Sequence, residues 1–200
     1  MFATFRHLAA AMLAMILAVA AVAAQAQTDV TNAPDPYVHS AAGVRFPAAA
    51  GVFRRGRVVH YDAKGYDASV GYQIDGMAGE MTLYVYPDDG ETCRGWFDGA
   101  DNAVMKRGTS VREEGAAPLK LFPGVGVEQY SARYAIPASS LDYDNAEIAS
   151  FLWVGCRKDA RGDGWVIKYR GSFLAADAAK SEAMVKQLFA LIDWSPLLGG

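Results

Sequence analysis

Histidine and cysteine are scarce in this chain, with three of the first and two of the second among 200 residues. That scarcity closes several routes to chemistry. His39 and His60, the histidines outside the apolar leader, share no metal-ligand spacing with each other or with Cys93 and Cys156, so neither a metal site nor a cofactor is expected. A Ser-His-Asp system would have to use His60. The nearest approach to a nucleophile elbow, "DASVG", lacks the first glycine of G-x-S-x-G and lies within an alternating strand, where Ser69 reads as a solvent-facing position. Positive charge is not in excess either: the formal net charge is −3, and one unit more negative without Arg6. Such a chain has no general attraction for nucleic acid or anionic lipid. Beyond residue 26 there is no second long apolar run, and no membrane span is expected there.

What the chain does have begins with "MFATFRHLAAAMLAMILAVAAVAAQAQ": a single arginine, an unbroken apolar run from Leu8 to about Ala24, then Ala24-Gln25-Ala26. This is the layout of a cleavable secretory signal over residues 1–26. The run approaches the ~20 residues of a membrane anchor. It is dominated by alanine, however, and ends in a cleavage-like site without a positive flank. A periplasmic or secreted location follows. No cysteine follows the run, which argues against a lipoprotein. The remainder is long enough for one domain that buries about 70% of its unfolded surface.

Residues 27–42, "QTDVTNAPDPYVHSAA", are small and polar with little periodicity, and read as a flexible N-terminal arm. A single domain is expected over 43–196. "VRFP" and "VFRRGRVVHYD" lead to the turn "DAKG". "DASVGYQID" alternates, with Ala68, Val70, Tyr72 and Ile74 on one face, which is the pattern of a half-buried strand. "MTLYVYP" is apolar on both faces and reads as a central strand. The period then becomes helical: Asp88 and Glu91 suit a capping box, Cys93, Phe97, Ala100 and Val104 form a stripe that Trp96 and Ala103 widen, and Gly108 is a natural stop. "GVEQYSARYAIP", "AEIASFLWVGCRK" and "GWVIKYRGSF" read as three further strands, the last two joined by the hairpin-like "KDARGDG". A final amphipathic helix covers about Ala175 to Asp193 and is ended by Pro196. Strands with hairpin-sized links, broken by two helices, imply an α+β fold: one antiparallel sheet of about six to seven strands with two main helices packed on it.

In "VRFP" at 44–47, "YVYP" at 84–87 running into a helix, and "VIKYRGSF" at 166–173 leading to the last helix, this order resembles the PsbP-like sandwich family. The resemblance covers residues 44–194 by pattern and implies a non-catalytic accessory or protein-binding module. It assigns no individual functional residue.

Carboxylates in "PDDGE" and "LDYDNAE" are accounted for by helix capping and a turn, and neither has the calcium-loop register. "RGD" at 161–163 lies in a Gly- and Asp-rich turn and reads as turn chemistry. Two features point to binding. Arg54, Arg55 and Arg57 cluster about one strand and Lys168 and Arg170 share the polar face of another, a combination that would hold a carboxylate or phosphate. Tyr84 and Tyr86, with Tyr72, Tyr130, Tyr134, Trp153 and Trp165, supply aromatic surface that either packs under the helices or lines a groove. The leading expectation is a non-catalytic exported envelope protein whose partner is another envelope protein. The alternative is a carrier of a small lipid, sugar or peptide in an aromatic groove with Arg54 or Arg170 at its rim. A hydrolase would need His60 or an acidic pair to converge in a cleft. Export also places the two cysteines where thiols are oxidised. Cys93 on the inward face of its helix and Cys156 at the end of a strand are expected to form a disulfide, the rival role being a Cys93 nucleophile at a helix N-terminus beside Arg94.

Overall fold

A computed structural model describes residues 27–106, 111–112, 117–124, 126–138 and 146–199. The segment expected to be a secretory signal, the helix stop expected at Gly108 and most of "LDYDNAE" lie outside the described residues. The strands are β1 (Thr28–Asp29), β2 (Tyr37–Val38), β3 (Arg45–Phe46), β4 (Ala49–Ala50), β5 (Phe53–His60), β6 (Ala68–Ile74), β7 (Met77–Pro87), β8 (Val111–Arg112), β9 (Glu128–Ile136), β10 (Ile148–Lys158) and β11 (Gly164–Leu174). The main helices are α1 (Cys93–Met105) and α2 (Ala178–Leu191). One antiparallel sheet runs in the order β1-β5-β6-β7-β11-β10-β9-β8, with β4 also paired to β5, while β2 and β3 form a separate hairpin. This is the α+β architecture expected, in one domain.

The sheet order follows from short links. β6 and β7 join through the tight turn Asp75-Gly76, with Gly76 at φ 75°, and β10 and β11 through Asp159–Asp163, with Gly162 at φ 88°. Positive φ is where glycine carries no Cβ penalty. β7 lies between β6 and β11, and both of its faces are apolar because each packs into a core on its own side of the sheet.

Alternation then sends side chains to two cores. Val70, Tyr72, Met81, Leu83, Val85, Phe151, Trp153, Ile167 and Tyr169 enter the larger one, closed by Val185, Leu188 and Phe189 of α2 and by Tyr37 and Phe46 of the β2–β3 hairpin. On the opposite face, Tyr86, Tyr134, Leu152, Val154 and Val166 meet Cys93, Phe97 and Val104 of α1 in a smaller core. Cys93 is bonded to Cys156, tying α1 to β10.

Four local expectations are revised. The cap of α1 is Thr92, whose Oγ1 accepts the Gly95 N–H at 3.0 Å. Asp88 instead accepts from the Gly90 N–H and the Trp96 indole, so its carboxylate is already committed to a turn that stops short of the helix. α2 ends at Leu191 because Ile192 turns extended, and Pro196 lies inside the following short helix Ser195–Leu198, at a position where its missing N–H costs nothing. Ser69 is buried at 3% exposure, with its Oγ against the Tyr61 hydroxyl at 3.1 Å.

The fourth concerns the arm. Residues 27–42 lie packed on the domain: Tyr37, His39 and Ala42 are 5%, 1% and 5% exposed, and Thr28 and Asp29 pair with His60 and Val59 of β5. The polar composition that reads as a tether conceals a few well-separated anchors. Two of them bond chain distant in sequence, the Tyr37 hydroxyl at His60 and the His39 ring at the Val85 carbonyl.

Candidate functional site

On the face of the sheet that carries α1, the helix covers only part of the surface. Beside its first turns, Tyr61, Asp67, Tyr84, Tyr86, Trp96 and Lys168 line a cleft of about 260 Å³. The sheet register assembles it. Lys168 of β11 sits directly opposite Tyr84 of β7, and Tyr84 opposite Ser69 of β6. Asp67 precedes β6 by one residue and Tyr61 follows β5 by one, so both approach from the sheet's end. Tyr86 lies two residues beyond Tyr84 on the same face, and Trp96, one turn into α1, closes the far side.

The aromatic rings form two walls. Tyr61 and Tyr84 have centroids 6.2 Å apart at an interplanar angle of 32°. Tyr86 and Trp96 meet edge to face at 5.1 Å, a favourable quadrupolar arrangement. Between the walls the Lys168 ammonium stands 4.1 Å from the Tyr84 centroid and 5.6 Å from that of Tyr86, within range of the attraction between a cation and an aromatic face. Burial holds the Lys168 ammonium below the ordinary lysine pKa, with the Asp67 carboxylate opposing. Burial likewise holds Asp67 above the ordinary carboxylate range, with Lys168 opposing. The Tyr86 phenol is pushed up, also by burial. The polar ends of two wall residues are engaged: the Trp96 Nε1–H donates to Asp88 Oδ1 at 3.2 Å, and the Tyr61 hydroxyl bonds Ser69. With those ends engaged, what both residues can offer the cleft they line is ring carbon.

Of the residues singled out from the sequence, Tyr84, Tyr86 and Lys168 come together here. Arg170 is two residues further along β11, opposite Thr82 and Leu152 and outside the lining. Arg54 is not part of the site. It belongs to β5, three strand spacings from β11, or roughly 14 Å, and it pairs with Asp75 at 3.0 Å. Arg55 donates to the carbonyls of Phe46, Ala33 and Pro34, and Arg57 pairs with Asp29. The basic patch expected from the sequence is thus divided, because Arg55 and Arg57 anchor the N-terminal segment while Arg54 is paired at the β6–β7 turn. Asp67, Tyr61 and Trp96 were not singled out as site residues. The signal was present in the polar face of β6 beginning at Asp67, but only the register of three strands shows that this face meets Lys168.

Other candidates are accounted for by structure. The Arg161 guanidinium bonds Asp159 and Asp163 within its own turn, so "RGD" is folded on itself. His60 is opposite Ala68, one residue before Ser69; His60 and Ser69 therefore point to opposite sides of the sheet, and His60 Nε2 lies 2.9 Å from the Tyr37 hydroxyl. Tyr72, Trp153 and Trp165 belong to the larger core, and Tyr134 to the smaller.

No family model matches this sequence. No curated protein matches it either. A solved structure, that of LpqN of Mycobacterium tuberculosis, described as involved in cell envelope biogenesis, aligns over 84% of this chain and 89% of its own. Its TM-score is 0.42 and its sequence identity 9%, a likeness too loose to place this chain in the same family. No described helix is long and apolar enough to cross a membrane.

Proposed function

We propose that this chain is an exported, non-catalytic binding protein of the cell envelope that holds a small ligand in the cleft around Lys168. One observation carries the reading: a cation seated between two aromatic walls in a concave site beside a helix that a disulfide ties to the sheet. Concave aromatic sites with a few convergent polar groups are the usual form of small-ligand pockets. A volume of about 260 Å³ is below the roughly 300–1,000 Å³ of pockets for drug-sized molecules, which favours a ligand of one ring. The separation of His60 from Ser69 by the sheet supports binding over hydrolysis. The disulfide suits an oxidising compartment, in line with the signal-like leader. The PsbP-like element order points to docking on another envelope protein, and the concave cleft gives the small-ligand alternative first place over it.

Native mass spectrometry of the protein isolated from the envelope of its own cells tests this. The expected result is a chain beginning near Gln27 that carries a small added mass, lost on mild activation. A chain that begins at Met1, or one that carries only a second polypeptide, would overturn the reading.

A further inference from the structure

Lys168 is costly to place where it is. Its ammonium is partly withdrawn from water, and among the described residues its N–H donors reach no acceptor within hydrogen-bond or ion-pair distance; its direct contacts are with the faces of Tyr84 and Tyr86, and the Asp67 carboxylate acts on it through its field alone. Ring faces satisfy a cation's field but accept no conventional hydrogen bond from it. A partly desolvated ammonium without an oxygen partner is a destabilising arrangement that an anionic ligand would relieve. Asp67 lines the same cleft and does not close this gap with an ion pair.

Building on the binding reading above, we propose that the cleft takes a small ring-bearing monocarboxylate, with its carboxylate on Lys168 Nζ and its ring between the Tyr61–Tyr84 and Tyr86–Trp96 walls. Charge selects the head group. One cation lines the cleft, and the Asp67 carboxylate in the same lining repels a dianion more strongly than a monoanion, so a single negative charge is favoured over the two of a phosphate monoester. Geometry selects the body. Two aromatic walls either side of the ammonium favour a flat or ring-shaped apolar face, because stacking and edge contacts reward ring surface and a flexible chain would lose more entropy on entry. Trp96 and Tyr61, with their polar ends turned to Asp88 and Ser69, offer that ring carbon surface and leave orientation to Lys168. Aromatic acids and uronic acids share this chemistry.

Isothermal titration of the full mature protein with benzoate and with glucuronate tests the proposal, using benzyl alcohol, glucose and phenyl phosphate as comparators. At least one acid should bind, and its neutral counterpart should bind at least about tenfold more weakly, as loss of a charge-assisted contact implies. Phenyl phosphate should also be weaker than the acid. Lys168→Met should abolish the preference for the acid while Lys168→Arg keeps part of it. Trp96→Leu, which removes a wall and no charge, should weaken acid and neutral ligands alike. Binding by neither acid, equal binding of acid and neutral isostere, or an unchanged preference in Lys168→Met would each overturn the proposal. If no acid binds while protein from its own cells still carries a small mass, this inference fails and the binding reading stands. If that mass is absent as well, both fail.

Discussion

His39 shows how one residue in a polar stretch can hold a segment in place. Its Nδ1 accepts the Ala42 N–H at 3.0 Å and its Nε2–H donates to the Val85 carbonyl at 3.1 Å, while the ring meets Trp165 edge to face. The neutral ring therefore has both nitrogens occupied. A second proton, on Nδ1, would face the Ala42 N–H. Burial, with His60 adding to it, lowers the His39 pKa to about 4 against the Val85 and Tyr66 carbonyls and Asp62, which raise it. The unfolded chain takes up this proton near pH 6.5 and the folded chain only near 4, so between those values the unfolded state binds more protons and stability falls as the pH falls. The full effect is about 3 kcal/mol. Asp67, whose pKa is raised, acts in the opposite sense near the acid end of this window, and a comparison isolates the histidine. Urea midpoints of the native protein should decline from pH 7 to 4.5, and those of His39→Gln should decline less. Parallel profiles for the two proteins would contradict the assignment. From the sequence His39 was only a histidine in a loose arm. Its role depends on a carbonyl 46 residues away, which local pattern cannot supply.

At the scale of elements, α1 links stability to the cleft. Its periodicity was legible: Cys93, Phe97 and Val104 are the buried stripe read from spacing. Its start was less so, because "DDGET" offers several capping side chains in succession and only the turn at Gly90 decides that Asp88 is spent before Thr92 takes the cap. The disulfide closes a loop with a sequence separation of 63, for which chain entropy gives about 4 kcal/mol. That is a large share of the roughly 5–15 kcal/mol of a typical domain. Trp96 is three residues beyond Cys93, so the same bond steadies one wall of the cleft. The Cys93→Ser/Cys156→Ser double variant should lose on the order of 3–4 kcal/mol in urea unfolding, and the native-state signal from Trp96 should broaden in NMR spectra of the indole region. A double variant as stable as the native protein would show that the bond restrains little. Loss of stability with an unchanged indole signal would show that α1 is held by Phe97 and Val104 alone.

Taken whole, the molecule is a sheet with a core on each face, and the two differ in how far the sequence reveals them. The long strands were legible because alternation and hairpin turns are local properties: Ala68 to Ile74 and the run from Ile148 to Leu174 fold as their patterns indicate. The cleft was half legible. Tyr84, Tyr86 and Lys168 are on two strands whose aromatic and polar alternation marked them, whereas Tyr61, Asp67 and Trp96 reach the site through pairing and helix placement that no single window contains. The N-terminal segment was least legible, since the bonds that fix it to the domain, Val30 to Val58, Tyr37 to His60 and His39 to Val85, are long-range. Val30 N–H bonds the Val58 carbonyl, His39 N–H the Val44 carbonyl and Gly43 N–H the His39 carbonyl, while Tyr37 and Phe46 fill the larger core. Hydrogen exchange should accordingly be slow at Val30, His39, Ala42 and Gly43 and fast at Asn32, giving an alternation that a tether would not show. Deleting residues 27–43 would remove the buried Tyr37 and His39 together, and should cost several kcal/mol, in line with large-to-small changes of about 3–5 kcal/mol for one buried aromatic. Uniformly fast exchange across 27–43, together with an undiminished unfolding midpoint after the deletion, would mean that the segment contributes nothing to the domain, and that the arginines Arg55 and Arg57, which it now occupies through Ala33, Pro34 and Asp29, are free to meet another partner.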